Sequence, residues 1–440
     1  MNETPVRRST PRASVARHEP FPDLALPEVA HDRETARDCR DRVFAVRGAS
    51  PRSRRRFARE KWLAGLVAAV LATWVVPIAA QSPLAGRSAA TGVGFESYRF
   101  AEPVNAGIES VSLISVPATA RARLFGPLTL QLRGGFASGS LVTATGSEVD
   151  LSGPIDTEVQ LGVNLGSGPF STSVAGIFVA PTGTSRHSPE EAILAAFVGS
   201  DFLPFRVRNW GMGGAAGVSL TAARSFGGGS LGFGAGYIAT REYTPFQTPL
   251  AADAPAAHDF VYRPGNQLQL RFAADGNLTS ASKLAVALVF ERSDEDLLDD
   301  ENLYRSGNRY QAMASYAFAA GARSTAILYA GGLLSDEGVA LNPALNNDFT
   351  SRSLILAGGG MRVPMGRTVF VPSIDARVFR RGSGLGQGYL TGIGAAFEIP
   401  AGGFALSPTA RYRLGKFVAS EDVESRVTGF DLGLEIRFGR

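Results

Sequence analysis

Phe430-Asp431-Leu432-Gly433-Leu434-Glu435-Ile436-Arg437-Phe438 alternates without a break. Phe430, Leu432, Leu434, Ile436 and Phe438 fall on one face of an extended chain, and Asp431, Gly433, Glu435 and Arg437 on the other. A period of two with charges on one side only is a strand with one apolar and one wet face. This strand ends the chain and closes a series of similar segments, and an apolar export segment lies upstream of them all. Together these features predict an all-β fold, a single transmembrane antiparallel β-barrel.

Earlier strands repeat the pattern. Leu128, Leu130 and Leu132 oppose Thr129, Gln131 and Arg133; Val159, Leu161, Val163 and Leu165 oppose Glu158, Gln160 and Asn164. Leu268, Leu270 and Phe272 oppose Gln267, Gln269 and Arg271, and Ala410, Tyr412 and Leu414 oppose Thr409, Arg411 and Arg413. In a barrel the apolar set meets lipid and the charged set the lumen, because a charge at mid-membrane costs roughly 2–4 kcal/mol on the lipid side. The competing fold is a soluble sandwich whose polar face meets water.

Short turns alternate with longer polar stretches. The turns are Gly126-Pro127, Gly166 to Pro169, Gly227 to Gly229, Asp275 to Ser282, Ala320 to Ala322, Met365-Gly366 and Pro400 to Gly403. The long stretches are 101–109, 138–153, 181–206, 244–264, 293–304, 335–349, 382–387 and 419–425. Seven short and eight long connections give 16 strands with both ends on the short-turn side, the pattern of short periplasmic turns and long extracellular loops. The segments near 91–100 and 350–364 lack clean alternation, which makes 14 strands the alternative count. Tyr98, Trp210, Tyr243, Phe260 and Tyr389 lie near strand ends and are candidates for an interfacial aromatic girdle.

The sequence pI of about 9.3 does not point to a polyanionic partner. Residues 1–81 hold 15 of the 44 Lys and Arg and 9 of the 40 Asp and Glu, leaving 29 basic against 31 acidic residues in the body. The basic excess belongs to a leader, so the argument from net charge to a polyanionic partner fails and no nucleic-acid partner is expected. Arg52, Arg54, Arg55, Arg56, Arg59 and Lys61 precede an uncharged run from Trp62 to Ala80, as in a signal peptide over 52–80 cleaved after Ala80. The run is also long enough for an uncleaved anchor. Ser53-Arg54-Arg55-Arg56-Phe57 resembles a twin-arginine signal, but a barrel crosses the inner membrane unfolded, so the general secretory route to the outer membrane is expected. Residues 1–51, without sustained period, read as disordered or as a start codon placed too early, and 81–440 as the barrel.

Candidates for chemistry are few. The single cysteine, Cys39, lies in the leader, and the body keeps only His187 and His258, so thiolate and multi-histidine metal sites are excluded. His187, flanked by Ser185 and Ser188, is the one local arrangement a hydrolase could use; adjacent side chains rarely form a triad, and the reading is a non-enzyme without cofactor. Asp294, Glu295, Asp296, Asp299, Asp300 and Glu301 put six carboxylates in eight residues, without the Gly and ligand spacing of an EF-hand loop, and read as a solvated loop. Ser188-Pro189-Glu190-Glu191 is a capping box that opens a short helix over the apolar 192–198. Its apolar face needs cover, either inside the barrel mouth, which it would narrow, or against other loops.

The candidate lumen-facing residues are Arg121, Arg123, Arg133, Glu158, Gln160, Gln267, Gln269, Arg271, Asp375, Arg377, Arg411, Arg413, Asp431 and Glu435. Such a set either governs charge selectivity in a pore or pairs across the lumen and fills it. The Phe430 to Phe438 strand is the element for the barrel-assembly machinery to recognise, although Gly439-Arg440 follow its aromatic.

The stretch Ala180-Pro181-Thr182-Gly183 after a strand, then a polar loop and Gly-rich strands ending Gly236-Tyr237, resembles the outer-membrane transporters associated with phenol-degradation pathways. The similarity spans residues around 155–245 and implies a barrel that moves small, hydrophobic solutes. The expected function is passive passage of small solutes, with outer-membrane lipid and lipopolysaccharide as surroundings. A non-conducting structural or surface-interaction barrel and a lipid-modifying barrel enzyme are the alternatives.

Overall fold

The computed structural model describes residues 87–104, 107–166, 170–245, 260–321, 323–342, 350–382, 386–420 and 423–439. The leader lies outside them, as does His258. The strands are β1 (Arg87–Val104), β2 (Ile108–Arg123), β3 (Leu128–Thr143), β4 (Glu148–Pro154), β5 (Thr157–Leu165), β6 (Phe170–Ala180) and β7 (Ala215–Phe226). They continue as β8 (Gly229–Thr240), β9 (Tyr262–Arg263), β10 (Gln267–Thr279), β11 (Ser282–Ser293), β12 (Glu295–Leu298), β13 (Glu301–Arg305) and β14 (Arg309–Ala319). The last are β15 (Thr325–Ser335), β16 (Val339–Ala340), β17 (Arg352–Met365), β18 (Thr368–Arg381), β19 (Gln387–Ala401), β20 (Phe404–Ser420) and β21 (Val423–Phe438).

Sixteen of these wall positions close on themselves, because β1 pairs antiparallel with both β2 and β21. β4 and β5 pair in turn with β3 and together count as one wall strand, interrupted at Ile155-Asp156. Closure pairs every full wall strand on both sides, the condition for a strand fold to cross lipid, while β4, beyond the end of β6, pairs with β3 alone. No described helix is long and apolar enough to cross a membrane.

The outer face is apolar and uncovered. Ile393, Ile374 and Val218 are more than 60% exposed, and Phe430, Leu432 and Leu434 of the final strand share that outer face. The alternate residues of β21, Ser425, Val427 and Asp431, are buried. An apolar belt of this extent on a protein in water would be an association surface; around a closed barrel it matches hydrocarbon.

Wall height is uneven. β1 has 18 residues, β20 has 17, and β2, β3 and β21 have 16 each, against 11 in β6, β14 and β15. Five extra residues add about 17 Å of strand. The stretches 101–109, 138–153 and 419–425, read from sequence as loops, are therefore largely strand, and the expected long loops shrink to tight connections. Strand β10 likewise runs through Asp275 to Thr279, so the turn expected over Asp275 to Ser282 is only its last residues. On the opposite side β9, β12, β13 and β16 form a small antiparallel sheet above β10, β11, β14 and β15. The acidic 294–301 stretch is thus a hairpin, turning on Asp299 and Asp300 with φ of 50° and 63°.

The bend between wall and upper sheet is built twice. Arg263-Pro264-Gly265-Asn266 and Ser293-Asp294-Glu295 recur as Arg305-Ser306-Gly307-Asn308 and Ser335-Asp336-Glu337. In each, the Asp N–H donates to the Asn carbonyl, at 2.8 Å for Asp294 and 2.9 Å for Asp336. A side chain on Gly265 or Gly307 would overlap the Asp294 or Asp336 carbonyl, so the bend requires glycine.

Ile393→Arg places a charge on the outward face at mid-strand. The expected cost is roughly 2–4 kcal/mol, read as a lost folded band when the protein is refolded into lipid vesicles and run unheated. Gln269→Arg, on the opposite face of β10, is expected to refold as well as the native chain.

Candidate functional site

Between β6 and β7 the chain leaves the wall for residues 181–214. Helix α1 (Pro189–Gly199) starts as the capping box requires. The Glu191 N–H donates to Ser188 Oγ at 3.2 Å, and the Ser188 N–H to the Glu191 carboxylate at 2.7 Å. Leu194 and Val198 are buried, followed by Phe202, Leu203, Phe205, Val207 and Trp210.

These residues pack on the inner face of the tall wall. Phe205 meets Tyr98 edge-on at 5.1 Å between ring centroids, Phe202 lies 4.8 Å from Phe417, and Phe197 lies 6.1 Å from Phe100. The Trp210 indole donates to the Ala137 carbonyl at 3.0 Å and rests over Gly139, where a Cβ would stand 3.2 Å from the ring. Burying a large apolar side chain contributes roughly 1.5–3 kcal/mol, so this set holds the segment firmly. Of the two covers open to the apolar helix face, the segment takes the one inside the barrel. Tyr98 and Trp210 are interior residues for the same reason, not members of a lipid-facing girdle; Tyr389, 48% exposed, does face outward.

One residue ties the two ends of the segment together. At the break between β4 and β5 the Asp156 carboxylate accepts from the Gly183 N–H at 2.9 Å and the Met212 N–H at 2.7 Å. Its own N–H donates to the Trp210 carbonyl at 3.1 Å. Hydrogen bonds to an ionised acceptor are the strong class.

Beside the apolar packing lies a charged layer. The Arg206 N–H donates to Glu96 at 3.0 Å, its guanidinium stands 3.6 Å from the same carboxylate, and it donates to Thr409 at 3.3 Å. Asp431 accepts from the Tyr98 hydroxyl at 2.9 Å and from Arg413 Nε at 2.8 Å. Arg413 also donates to Asp375 at 2.9 Å, and Arg411 stands 3.2 Å from Asp375.

The structure sorts the sequence candidates into groups. Asp375, Arg377, Arg411, Arg413 and Asp431 come together on β18, β20 and β21. Arg121, Arg133, Glu158 and Gln160 are register neighbours of Gln131 or of one another across β2, β3 and β5, with Arg123 opposite Thr129. On β10 Gln269 accepts from Arg271 at 2.8 Å, next to Gln267. Glu435 pairs with Arg437 at 2.7 Å, apart from the others. Sequence reasoning missed Glu96, Asp156 and Arg206. Glu96 lies in a segment without alternation, and no pattern marks a carboxylate at a strand break.

Elsewhere the polar clusters have structural partners. Asp296 accepts from the Tyr262 hydroxyl at 2.5 Å and the Gly265 N–H at 2.7 Å, and Asp299 from the Val261 N–H at 2.9 Å. Burial, the Tyr262 bond to Asp296 and that carboxylate's charge push the Tyr262 phenol up; burial and nearby carboxylates push Tyr243 up to about 12. The His187 backbone N–H donates to the Pro245 carbonyl at 2.9 Å, and the ring Nδ1 has no partner among the described residues.

No family model matches the chain, and no curated protein matches its sequence. Among solved structures, a substituted form of Rh. blastica porin is 15% identical, with a TM-score of 0.35 over 80% of this chain and 100% of that one. OmpT of Vibrio cholerae lacking loop L8, an outer membrane protein, is 10% identical with a TM-score of 0.37, covering 80% and 98%. An outer membrane channel from Pseudomonas putida F1 is 11% identical with a TM-score of 0.32, covering 80% and 95%.

Asp156→Ala removes both clamp bonds. The segment's closure is expected to weaken by on the order of 3 kcal/mol, read as faster trypsin cleavage after Arg206 and Arg208 while the folded barrel band is unchanged. A second outcome concerns acid. Burial holds His187 below its ordinary value of 6.5, with the Glu191 charge acting the other way. Above 6.5 folded and unfolded forms are both neutral; below it the released chain takes the proton first, so stability is lost as pH falls through that value. Relative to cleavage of the unfolded chain at the same pH, cleavage after Arg186 should therefore be faster at about pH 5.5 than at about pH 7.5.

Proposed function

We propose that the chain is an outer-membrane channel for passive passage of small solutes, with an off-centre path between segment 181–214 and the low wall. One observation supports this most: the inner face differs between the two sides. Under the segment it carries Tyr98, Phe100, Leu113, Leu390 and Phe417, all buried. On β7, β8, β11 and β14 the outward residues Val218, Leu220, Phe233, Leu288 and Tyr310 are large and exposed. The alternating positions there include Ser219, Thr221, Gly232, Gly234, Gly236, Ala285, Ala287 and Ser315, beside larger ones such as Ile238, Val289, Gln311 and Met313. Small side chains on one side leave space that large ones on the other have filled.

Gln267, Gln269, Arg271, Arg121, Arg123 and Arg133 then line the path, with Arg411 and Arg413 at the edge of the segment. The apolar belt supports outer-membrane lipid and lipopolysaccharide as the surroundings of the barrel. Export by the general secretory route and recognition of the Phe430 to Phe438 strand by the assembly machinery belong to the same reading. The likeness of Ala180-Pro181-Thr182-Gly183 and its surroundings to the phenol-degradation transporters supports small hydrophobic solutes as cargo.

Single-channel recording on the purified protein in a planar bilayer tests it. Steady current is expected, reduced by roughly half in Ser315→Trp, which fills the low-wall side. A folded barrel that never conducts would move the assignment to a closed structural barrel.

A further inference from the structure

Arg377 is an inner-wall cation with no carboxylate hydrogen-bonded to its Nε or Nη1 among the described residues. It lies on β18 between Leu356 of β17 and Leu390 of β19 in register, two residues from Phe379; Leu390 and Phe379 are buried. Its Nε and Nη1 are buried and have no hydrogen-bond partner among the described residues. Asp375, two residues away on the same face, attracts Arg377 through its charge without a hydrogen bond to it; its Oδ2 accepts from Arg413 at 2.9 Å, and its Oδ1 lies 3.2 Å from Arg411. Arg208, which also acts on Arg377, is paired with Asp201 at 2.8 Å.

The imbalance does not depend on how side chains rotate. Arg206, Arg377, Arg411 and Arg413 are four cations around three carboxylates, Glu96, Asp375 and Asp431, so any pairing among them leaves one positive charge. Arg381, further along the same face of β18, also has its Nε buried without a partner and adds to the excess. A buried lysine or histidine can shed its proton; a guanidinium cannot, so its half-buried charge favours a nearby anion. Unpartnered buried polar atoms are rare in folded proteins, and each calls for a water, an ion or a functional role to account for it.

We propose that Arg377 anchors an anion-binding site on the inner wall that takes a small monovalent anion, and that permeating anions dwell there. The dwell of permeating anions rests on the channel reading above; the binding site does not. Nε and Nη1 lie on different edges of the guanidinium, and a planar carboxylate can take either edge by adding a bond to Nη2, so a monocarboxylate head group suits the site better than a halide.

The experiment has two arms on the purified protein and on Arg377→Met, which keeps side-chain length and apolar fill. Removing an unpaired buried charge is not expected to harm folding, and the heat-modifiable gel shift checks this. In the first arm, titration calorimetry in detergent uses acetate as probe, with chloride as competitor. Acetate is expected to bind the native protein and to bind Arg377→Met about tenfold or more weakly. Chloride binding without acetate binding, lost in the variant, would assign the site to halide from the medium. In the second arm, the reversal potential in a potassium chloride gradient is expected to show anion preference that falls in Arg377→Met.

Acetate binding without current would keep the site and overturn the channel reading. Current with anion binding and selectivity unchanged in Arg377→Met would overturn the site and keep the channel. Should Arg377→Met fail to fold, Arg377→Lys keeps the charge and loses the fork, and is expected to retain anion preference with weaker acetate binding.

Discussion

Hydrocarbon offers no partner to a backbone N–H or C=O, so a strand protein surrounded by it must satisfy every one internally. Here that constraint is met where β1 zips to β21, in register from Ala89 opposite Phe438 to Phe100 opposite Val427. Everything else follows from closing the sheet there. The seam forces the apolar residues of both strands outward together, as Phe95 and Phe430 do at 5.4 Å. It also turns Glu96, Tyr98 and Asp431 into a lumen where water, segment 181–214 or other side chains must meet them.

Closure of so many strands encloses more space than wall side chains alone can fill. The chain answers on one side only. Aromatic residues of the tall wall and of the inserted segment make a core inside the barrel, with a charged layer of Glu96, Arg206, Asp375, Arg413 and Asp431 beside it. Buried charges of this kind hold geometry more than they add stability, since desolvation offsets much of the attraction. Their value is to fix where Arg206 and the segment stop.

The final strand, the clean alternation of β3, β5, β10 and β20, the strand count and the capped helix were all legible in the sequence, because one face meets lipid and the other something polar. Legibility failed where that contrast vanishes. In β1 Phe95 meets lipid while Tyr98 and Phe100 meet the inserted segment, so both faces are apolar and the period of two dissolves. In β17 Gly358 to Gly360 carry no side chains to alternate. The tall wall carries a loop-like sequence for a related reason: Ser and Thr between apolar residues signal a turn when the partner covering the inner face is far away in the chain. The Asp156 clamp joins Gly183 and Met212 across a helix and could not be read from spacing.

The twin bends carry a last consequence. Arg263-Pro264-Gly265-Asn266 opens the β10–β11 hairpin and Ser293-Asp294-Glu295 closes it; the same two signatures frame β14–β15. A wall section that recurs as a whole hairpin is a modular unit of circumference. Inserting or deleting one such unit changes the strand count by two, keeps the seam strands antiparallel, and leaves both chain termini on the side where they began. The low wall can therefore vary in width without any change to the strands that hold the inserted segment.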